Sequence, residues 1–121
     1  MNWFLTLHLS ALLSANLALA EQKPAEFCRP LDYQAFQQLS QDWTEVVFFA
    51  SWCASCRGHI ESSDPESTIY VIAYDEPQAA SRVLEALKPT AKLCLIDRDE
   101  SIRKAFAVDA LPAKIQRSGK D

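Results

Sequence analysis

The stretch VVFFASWCASCRGHIE, residues 46–61, decides the fold. It opens with β-branched and aromatic residues, and a short run of this kind predicts a strand buried on both faces, as in parallel sheets. Residues that favour a helix follow only after the first cysteine, so we expect a helix from Cys53 to about Ser62. The two cysteines, Cys53 and Cys56, therefore stand where a strand passes into a helix.

The rest of the chain alternates between the same two kinds of segment. Periodic apolar residues with capping signals predict helices, and short apolar runs predict strands. The further helices are expected at 32–41, 76–88 and 99–108, and the further strands at 67–75, 92–97 and 113–117. In the last two helices, the apolar side chains expected to face the sheet are Ala79, Val83, Ala86, Leu87, Ile102, Ala105 and Phe106. This order predicts an α/β fold with a mainly parallel central sheet flanked by helices.

Residues 1–20 contain no Asp, Glu, Lys or Arg and end in Ala-Leu-Ala. This pattern predicts a secretory signal cleaved after Ala20, and the alternative is an uncleaved membrane anchor. Both interpretations put the rest of the chain outside the cytoplasm. We expect a linker at 21–30 and one domain at 31–121, since 121 residues suffice for a single domain.

The composition argues against several classes of function. The net charge is -4 and Lys and Arg form no cluster, so a nucleic-acid partner is not expected. Only two glycines are present, which argues against a glycine-rich phosphate loop, and no cofactor is expected. All four cysteines follow position 20, and an oxidising compartment would let disulfides between them persist.

The spacing of Cys53 and Cys56 suits thiol–disulfide exchange. Cys53 is expected at or next to the N-cap of its helix, where unpaired backbone N–H groups and the helix dipole stabilise a thiolate. Cys56 is expected one turn on, deeper in the helix. Cys53 can then attack a partner disulfide, and Cys56 can resolve the mixed disulfide that forms. Arg57 adds positive charge nearby, and Trp52 is expected to shield one side of the pair.

The cysteine pair also has less reactive interpretations. Cys53, Cys56, His59 and Cys28 could ligate zinc, although no second pair of ligands at zinc-binding spacing occurs in the sequence. Covalent haem attachment needs a histidine directly after the second cysteine, and Arg57 stands there instead. The pair could finally form a purely structural disulfide, although so short a loop would restrain the unfolded chain little.

The segment FFASWCASC, residues 48–56, resembles the active-site region of the thioredoxin superfamily, in which a strand, a W-C-x-x-C motif and a helix follow one another. A further strand and helix at Thr68–Lys88 separate this segment from CLIDRDESIRKAFAVDALP, residues 94–112. This arrangement is similar to the bacterial TlpA/ResA-like proteins. The resemblance covers about residues 31–120 and implies a thioredoxin-like fold with a βα insertion.

The resemblance implies an extracytoplasmic, periplasmic thiol-disulfide oxidoreductase whose redox-active disulfide is Cys53–Cys56. It further implies a client protein, an upstream redox partner and, by analogy, reduction of the client rather than its oxidation. Trp52 and the dipeptide Ala54-Ser55 are expected to border the site, and the dipeptide does not decide the direction. Membrane contact is expected only through an uncleaved N-terminal segment.

Leu111-Pro112 lies between a predicted helix and a predicted strand, where a cis X–Pro bond in a tight turn fits. In the family this proline is cis and packs against the active-site disulfide, while the backbone of the residue before it pairs with bound substrate. Carried over, Pro112 is expected to contact the disulfide, and Leu111 is expected to offer its main chain to an extended peptide. The alternative is an ordinary trans proline in a turn.

Two departures of the sequence from the family bear most on function. Val47 stands where relatives often carry a buried acid, so water or Glu61 is expected to accept the proton of Cys56. Relatives also continue into a final strand and a C-terminal helix, whereas this sequence ends at Asp121. The domain is therefore expected to be truncated, or to be covered by a partner along the edge Ala113–Arg117. Both departures favour the alternative function, a non-catalytic thioredoxin-like binding module with a structural disulfide.

Two cysteines remain outside the motif. Cys94 lies within an apolar run and is expected to be a small buried hydrophobic residue. The alternative is a disulfide with Cys28, which would attach the leading segment to the sheet. Such a bond requires Cα atoms within about 7 Å of each other.

Overall fold

The computed structural model describes residues 27–39 and 41–117. The expected export signal at 1–20 and residues 21–26 of the expected linker lie outside the described residues, as do residues 118–121. Within the two described ranges, none of the helices combines the length and the apolar character that a membrane span requires.

Strands and helices alternate along the described chain. In order, they are β1 Cys28–Pro30, α1 Tyr33–Phe36, β2 Glu45–Phe49, α2 Cys56–Glu61, β3 Thr68–Ile72, α3 Pro77–Leu87, β4 Leu93–Ile96, α4 Ser101–Ala105 and β5 Ala113–Gln116. The strands form one sheet in the order β1-β4-β3-β2-β5. Pairing is parallel throughout except between β2 and β5. The predicted α/β fold, with a mainly parallel sheet flanked by helices, is therefore confirmed.

Apolar layers cover both faces of the sheet. Side chains alternate along β2, so Val47 and Phe49 pack with residues of α2 and α3, whereas Val46 and Phe48 pack with residues of α1 and α4. The neighbouring strand β3 is buried along its whole length. Because both faces are covered, the central strands consist of continuous apolar runs rather than of alternating apolar and polar residues.

The first strand lies in the segment that we expected to be a linker. β1 has three residues and forms one edge of the sheet, where Pro30, which has no N–H to donate, is tolerated. Its Cys28 is the register partner of Cys94 in β4. The linker expected at 21–30 therefore does not hold for its last three residues, because pairing with a strand far along the chain orders them.

Three helices, α1, α2 and α4, are shorter than the sequence predicts, and α4 extends only over Ser101–Ala105 of the expected 99–108. The helix expected at 32–41 is confined to α1, because the N–H groups of Gln38 and Leu39 bond to carbonyls three residues back and tighten the chain into a turn. The helix expected to begin at Cys53 begins at Cys56. The chain between them forms turns instead, in which the N–H groups of Cys53, Cys56 and Arg57 each bond to the carbonyl three residues back.

The third helix, α3, matches its predicted range, but its buried side is displaced by one residue. Ala80 and Leu84 are the buried positions. Leu87 packs against the same core, as predicted. The other predicted positions are half-buried or exposed: Ala79, Val83 and Ala86. Adjacent apolar residues allowed either rotation in the sequence, and the sheet selects the rotation that buries the larger Leu84.

The last helix, α4, buries Ile102 as predicted. Phe106 follows its C-terminus and packs edge-on against Phe48 of the sheet, with ring centroids 6.1 Å apart. Ala105 is exposed, contrary to the prediction. The large ring of Phe106, rather than the small Ala105, therefore closes the core at this end of the helix.

Candidate functional site

The two cysteines of the motif lie at the carboxyl end of β2, which is flanked by β3 and β5. The N–H of Cys53 bonds to the carbonyl of Ala50 at 3.2 Å, and the N–H of Cys56 bonds to the carbonyl of Cys53 at 3.1 Å. These bonds fold the chain into tight turns between β2 and α2. Carboxyl ends of parallel strands are the usual positions of sites in open α/β sheets.

A disulfide joins Cys53 to Cys56, and their Cα atoms lie 5.3 Å apart. The two residues are not equally accessible. Cys53 retains 5% of its surface, whereas Cys56 retains 1%. An incoming thiolate can therefore reach Cys53 more readily than Cys56.

Polar groups, mostly of the backbone, lie close to both sulfurs. The N–H of Cys56 donates to Sγ of Cys53 at 3.2 Å, and the Ser55 hydroxyl lies 3.8 Å from the same sulfur. Sγ of Cys56 lies 3.9 Å from the carbonyl oxygen of Phe48. After reduction, the first contact stabilises a thiolate on Cys53, and the carbonyl accepts a bond from a protonated Cys56 thiol. The local backbone, more than the start of α2 itself, thus distinguishes the two cysteines.

The cysteines belong to the apolar cluster beneath α2 and α3. Val47 lies in this cluster, so an apolar side chain occupies the position where the resemblance implies a buried acid. Two residues earlier on the same face of β2, the half-buried Glu45 forms an ion pair with Lys114 of β5 at 3.2 Å. Glu61, which the sequence suggested as a proton acceptor for Cys56, is exposed at the C-terminal end of α2.

Two exposed aromatic residues lie beside the motif. Trp52 is 60% exposed and donates its indole N–H to the carbonyl of Tyr74 at 2.9 Å, and Tyr74 is itself 42% exposed. The guanidinium of Arg103 lies 4.8 Å from the centre of the Tyr74 ring. The N–H of Ser51 donates to the carboxylate of Asp75 at 2.6 Å, which attaches the motif turn to the residues after β3.

The sequence interpretation missed Tyr74 and Asp75. A usable signal existed, because both residues come directly after a central parallel strand, at the same edge of the sheet as Cys53. Ala54 and Ser55, which we expected to border the site, are exposed beside the disulfide.

The turn before β5 comes to the same region. Leu111-Pro112 is a cis peptide bond, as expected. Leu111 packs against the cluster that contains both cysteines, and Ala113, the next residue after Pro112, pairs with Phe48. The contact between Pro112 and the disulfide that the resemblance implies stays a prediction.

A second disulfide joins Cys28 to Cys94, with Cα atoms 4.5 Å apart. Cys94 is buried, as expected, but the expectation that it is a free hydrophobic residue is wrong. The two strands place the residues side by side, which the sequence could not show. The four cysteines thus form two disulfides, and none of them is a free thiol. The described residues also contain no group of three or more His, Cys, Asp or Glu side chains placed to hold a metal ion.

Comparisons of the chain with protein-family models, with curated proteins and with solved structures found no match.

Proposed function

We propose that this chain is a thiol-disulfide oxidoreductase with a thioredoxin-like arrangement, in which Cys53 attacks and Cys56 resolves. The observation that carries the proposal is the asymmetry of the pair. Cys53 is the more exposed of the two residues and its sulfur accepts a hydrogen bond from the N–H of Cys56 at 3.2 Å, whereas Cys56 is almost fully buried. This arrangement suits one cysteine to form a mixed disulfide and the other to break it.

In the reducing direction, the Cys53 thiolate attacks one sulfur of a client disulfide. A bond forms between Cys53 and that sulfur, and the second client sulfur leaves with the electron pair and takes up a proton. The Cys56 thiolate then attacks Sγ of Cys53, which restores the Cys53–Cys56 disulfide and releases the remaining client sulfur as a thiol. The client gains two electrons, and an upstream dithiol must supply them again.

Exposed groups around the motif are suited to client binding. Trp52 and Tyr74 present apolar rings to solvent next to Cys53. The backbone of Leu111 makes no hydrogen bond within residues 27–39 and 41–117, so its N–H and carbonyl can pair with an extended client segment. The two aromatic rings and the Leu111 backbone together would hold a client peptide near the disulfide.

Water is the proposed proton acceptor for Cys56. Val47 offers no carboxylate, and Glu61 lies about 7.5 Å further along the axis of α2, at a rise of about 1.5 Å per residue. Glu45 is paired with Lys114 and lies two residues before Val47 on β2. Exchange at this site is therefore expected to depend on the entry of water rather than on a buried acid.

An oxidising, extracytoplasmic location is part of the proposal. Both disulfides would persist in such a compartment, whereas cytosolic thiol systems keep most cysteines reduced. The uncharged segment at 1–20 supports export.

The test is catalysed exchange with a disulfide-linked peptide in the presence of an excess dithiol. We expect Cys53→Ser to abolish the acceleration, and Cys28→Ser/Cys94→Val, which removes the other disulfide, to retain it. Full activity in Cys53→Ser would exclude the proposal. Circular dichroism of each variant checks that loss of activity is not loss of fold.

A non-catalytic binding module is the second candidate. It is favoured by the low exposure of Cys53, at 5%, and by the apolar Val47 in the cluster beside the pair. In this case the exposed aromatic residues would still bind a partner, and the Cys53–Cys56 disulfide would stay closed. The reduction potential of the pair separates the two candidates.

A further inference from the structure

A cleft of about 670 Å³ lies between α3 and the edge of the sheet formed by β1 and β4. Its volume falls within the usual range for small-molecule sites, which is about 300–1,000 Å³. Cys28 of the second disulfide contributes to its wall. This cleft is lined by none of the residues Trp52, Cys53, Cys56 and Leu111.

Four charged side chains line the cleft, two of each sign: Glu76, Glu85, Arg82 and Arg98. None of these side chains forms an ion pair or a hydrogen bond with another of the described residues. The cleft therefore offers both guanidinium groups and carboxylates that are not already engaged with each other. A ligand that carries carboxylate and ammonium groups together is complementary to this lining.

The two residues of the second disulfide differ in exposure. Cys28 is half-buried and lines the cleft, whereas Cys94 is 2% exposed within β4 and lines no part of it. A nucleophile bound in the cleft therefore meets the disulfide from the side of Cys28. Cys94 is the sulfur that must leave.

We propose that the cleft binds a small thiol of the amino-acid or short-peptide class, carrying both carboxylate and ammonium groups, and that this thiol opens the Cys28–Cys94 disulfide by attack on Cys28. The site uses neither Cys53 nor Cys56, so it stands or falls independently of the oxidoreductase proposal.

The exchange proceeds in two steps. The ligand thiolate attacks Sγ of Cys28, a ligand–Cys28 disulfide forms, and the Cys28–Cys94 bond breaks with the electron pair and a proton going to Cys94. A second thiolate of the same class then attacks the ligand sulfur, which releases Cys28 as a thiol. Two ligand thiols are oxidised to their symmetrical disulfide, and Cys28–Cys94 is reduced to two thiols. A buried thiolate is a poor leaving group, so the exchange is slow and binding in the cleft matters to its rate.

The experiment compares glutathione, which carries both kinds of charge, with the uncharged 2-mercaptoethanol, at matched thiolate concentrations. Opening is measured by quenching in denaturant, alkylating, and quantifying the tryptic peptide that contains Cys94, which holds no other cysteine. The measured quantity is the ratio of the glutathione rate to the 2-mercaptoethanol rate. A ratio cancels any general loosening of the fold in a variant.

We expect this ratio to fall about fivefold in Arg82→Gln/Arg98→Gln, since two guanidinium–carboxylate contacts are lost. Arg29→Gln is the control: it removes one positive charge, by the same substitution, from the residue next to Cys28, and Arg29 does not line the cleft. The ratio in Arg29→Gln is expected to stay at the wild-type value.

The same fivefold fall on introducing Arg82→Gln/Arg98→Gln into a Cys53→Ser/Cys56→Ser background excludes relay of the exchange through the motif cysteines. An unchanged ratio in the double arginine variant, an equal fall in Arg29→Gln, or no opening by glutathione would each overturn the proposal.

Discussion

The backbone N–H of Cys56 donates to Sγ of Cys53 across 3.2 Å, so in the proposed reaction the resolving residue stabilises negative charge on the attacking residue. A hydrogen bond to a charged acceptor contributes about 1.5–3 kcal/mol. In the reduced protein we therefore expect iodoacetamide to modify Cys53 at least about tenfold faster than Cys56, since a tenfold ratio corresponds to about 1.4 kcal/mol.

Mass spectrometry of the protein, alkylated for increasing times and digested between the two cysteines, measures this ratio. The single variants supply the control, because each leaves one cysteine of the pair and its rate can be assigned directly. Cys56→Ser is further expected to accumulate a mixed disulfide with a substrate peptide at Cys53. Equal alkylation rates in the two single variants would contradict the assigned roles.

The Cys28–Cys94 disulfide is expected to dominate the stabilisation by cross-links. It joins residues 66 positions apart. Removing a cross-link over this loop length increases the conformational entropy of the unfolded chain, which lowers its free energy by about 4 kcal/mol. Cys28→Ser/Cys94→Val should lower the free energy of unfolding by this amount in urea denaturation. Cys53→Ser/Cys56→Ser, whose residues are 3 apart, should lose less than about 2 kcal/mol. A larger loss in the second variant would show that the loop lengths do not set the difference.

Alkaline pH is expected to destabilise the fold through Tyr70. Burial raises the pKa of Tyr70 above its ordinary value of 10.0. The hydroxyl lies 2.6 Å from Oγ of Ser63, which itself donates to the carbonyl of Ile60, so Tyr70 donates to Ser63. As the pH rises, the hydroxyl of Tyr70 therefore ionises at a lower pH in the unfolded chain than in the folded protein. The contribution of Tyr70 to stability is therefore complete below the unfolded pKa and is lost as the pH rises from there through the folded pKa.

Denaturation at a series of pH values checks this sign. Between about pH 9 and 11, the free energy of unfolding should fall more steeply in the wild type than in Tyr70→Phe. Tyr74→Phe, which changes a ring that is 42% exposed, is expected to keep the wild-type slope. If Tyr70→Phe also kept that slope, ionisation of Tyr70 would not be the cause.

Asp97 is expected to hold the start of α4. Its two carboxylate oxygens each accept a backbone N–H at 2.9 Å, from Ile102 and from Arg103, and the residue is buried. Asp97→Ala should cost about 1–2 kcal/mol of unfolding free energy, as loss of an N-cap does, and Asp97→Asn should cost less because one oxygen remains. Asp109→Ala, at an exposed acid after the helix, serves as the control. An alanine variant as stable as the wild type would refute this role.

The sequence predicts well where the signal is local and continuous. The apolar run is continuous in β2 after Glu45, in β3 after Thr68 and throughout β4, and α3 begins at a proline and carries a regular apolar stripe. β1 could not be found in this way, because its three residues include a proline and are ordered by a strand and a disulfide partner 66 residues away.

The same difference between local and long-range signals applies to the candidate site. The position of Cys53 and Cys56 after a strand follows from the sequence. The start of α2 at Cys56 does not, because it depends on whether backbone N–H groups there bond three residues back, as in turns, or four residues back, as in a helix. The contact of Trp52 with Tyr74 joins the ends of two strands and has no local signal. The pairing of Cys28 with Cys94 likewise required the order of the strands in the sheet.

The reduction potential of the Cys53–Cys56 pair tests the central claim most directly. It can be measured in Cys28→Ser/Cys94→Val, in which only this pair titrates, by equilibration with glutathione or dithiothreitol buffers followed by alkylation. A reducing oxidoreductase predicts a potential above about -300 mV, and nearer to about -270 mV than to about -120 mV. A potential well below about -300 mV would mean an inert structural disulfide and would contradict the account.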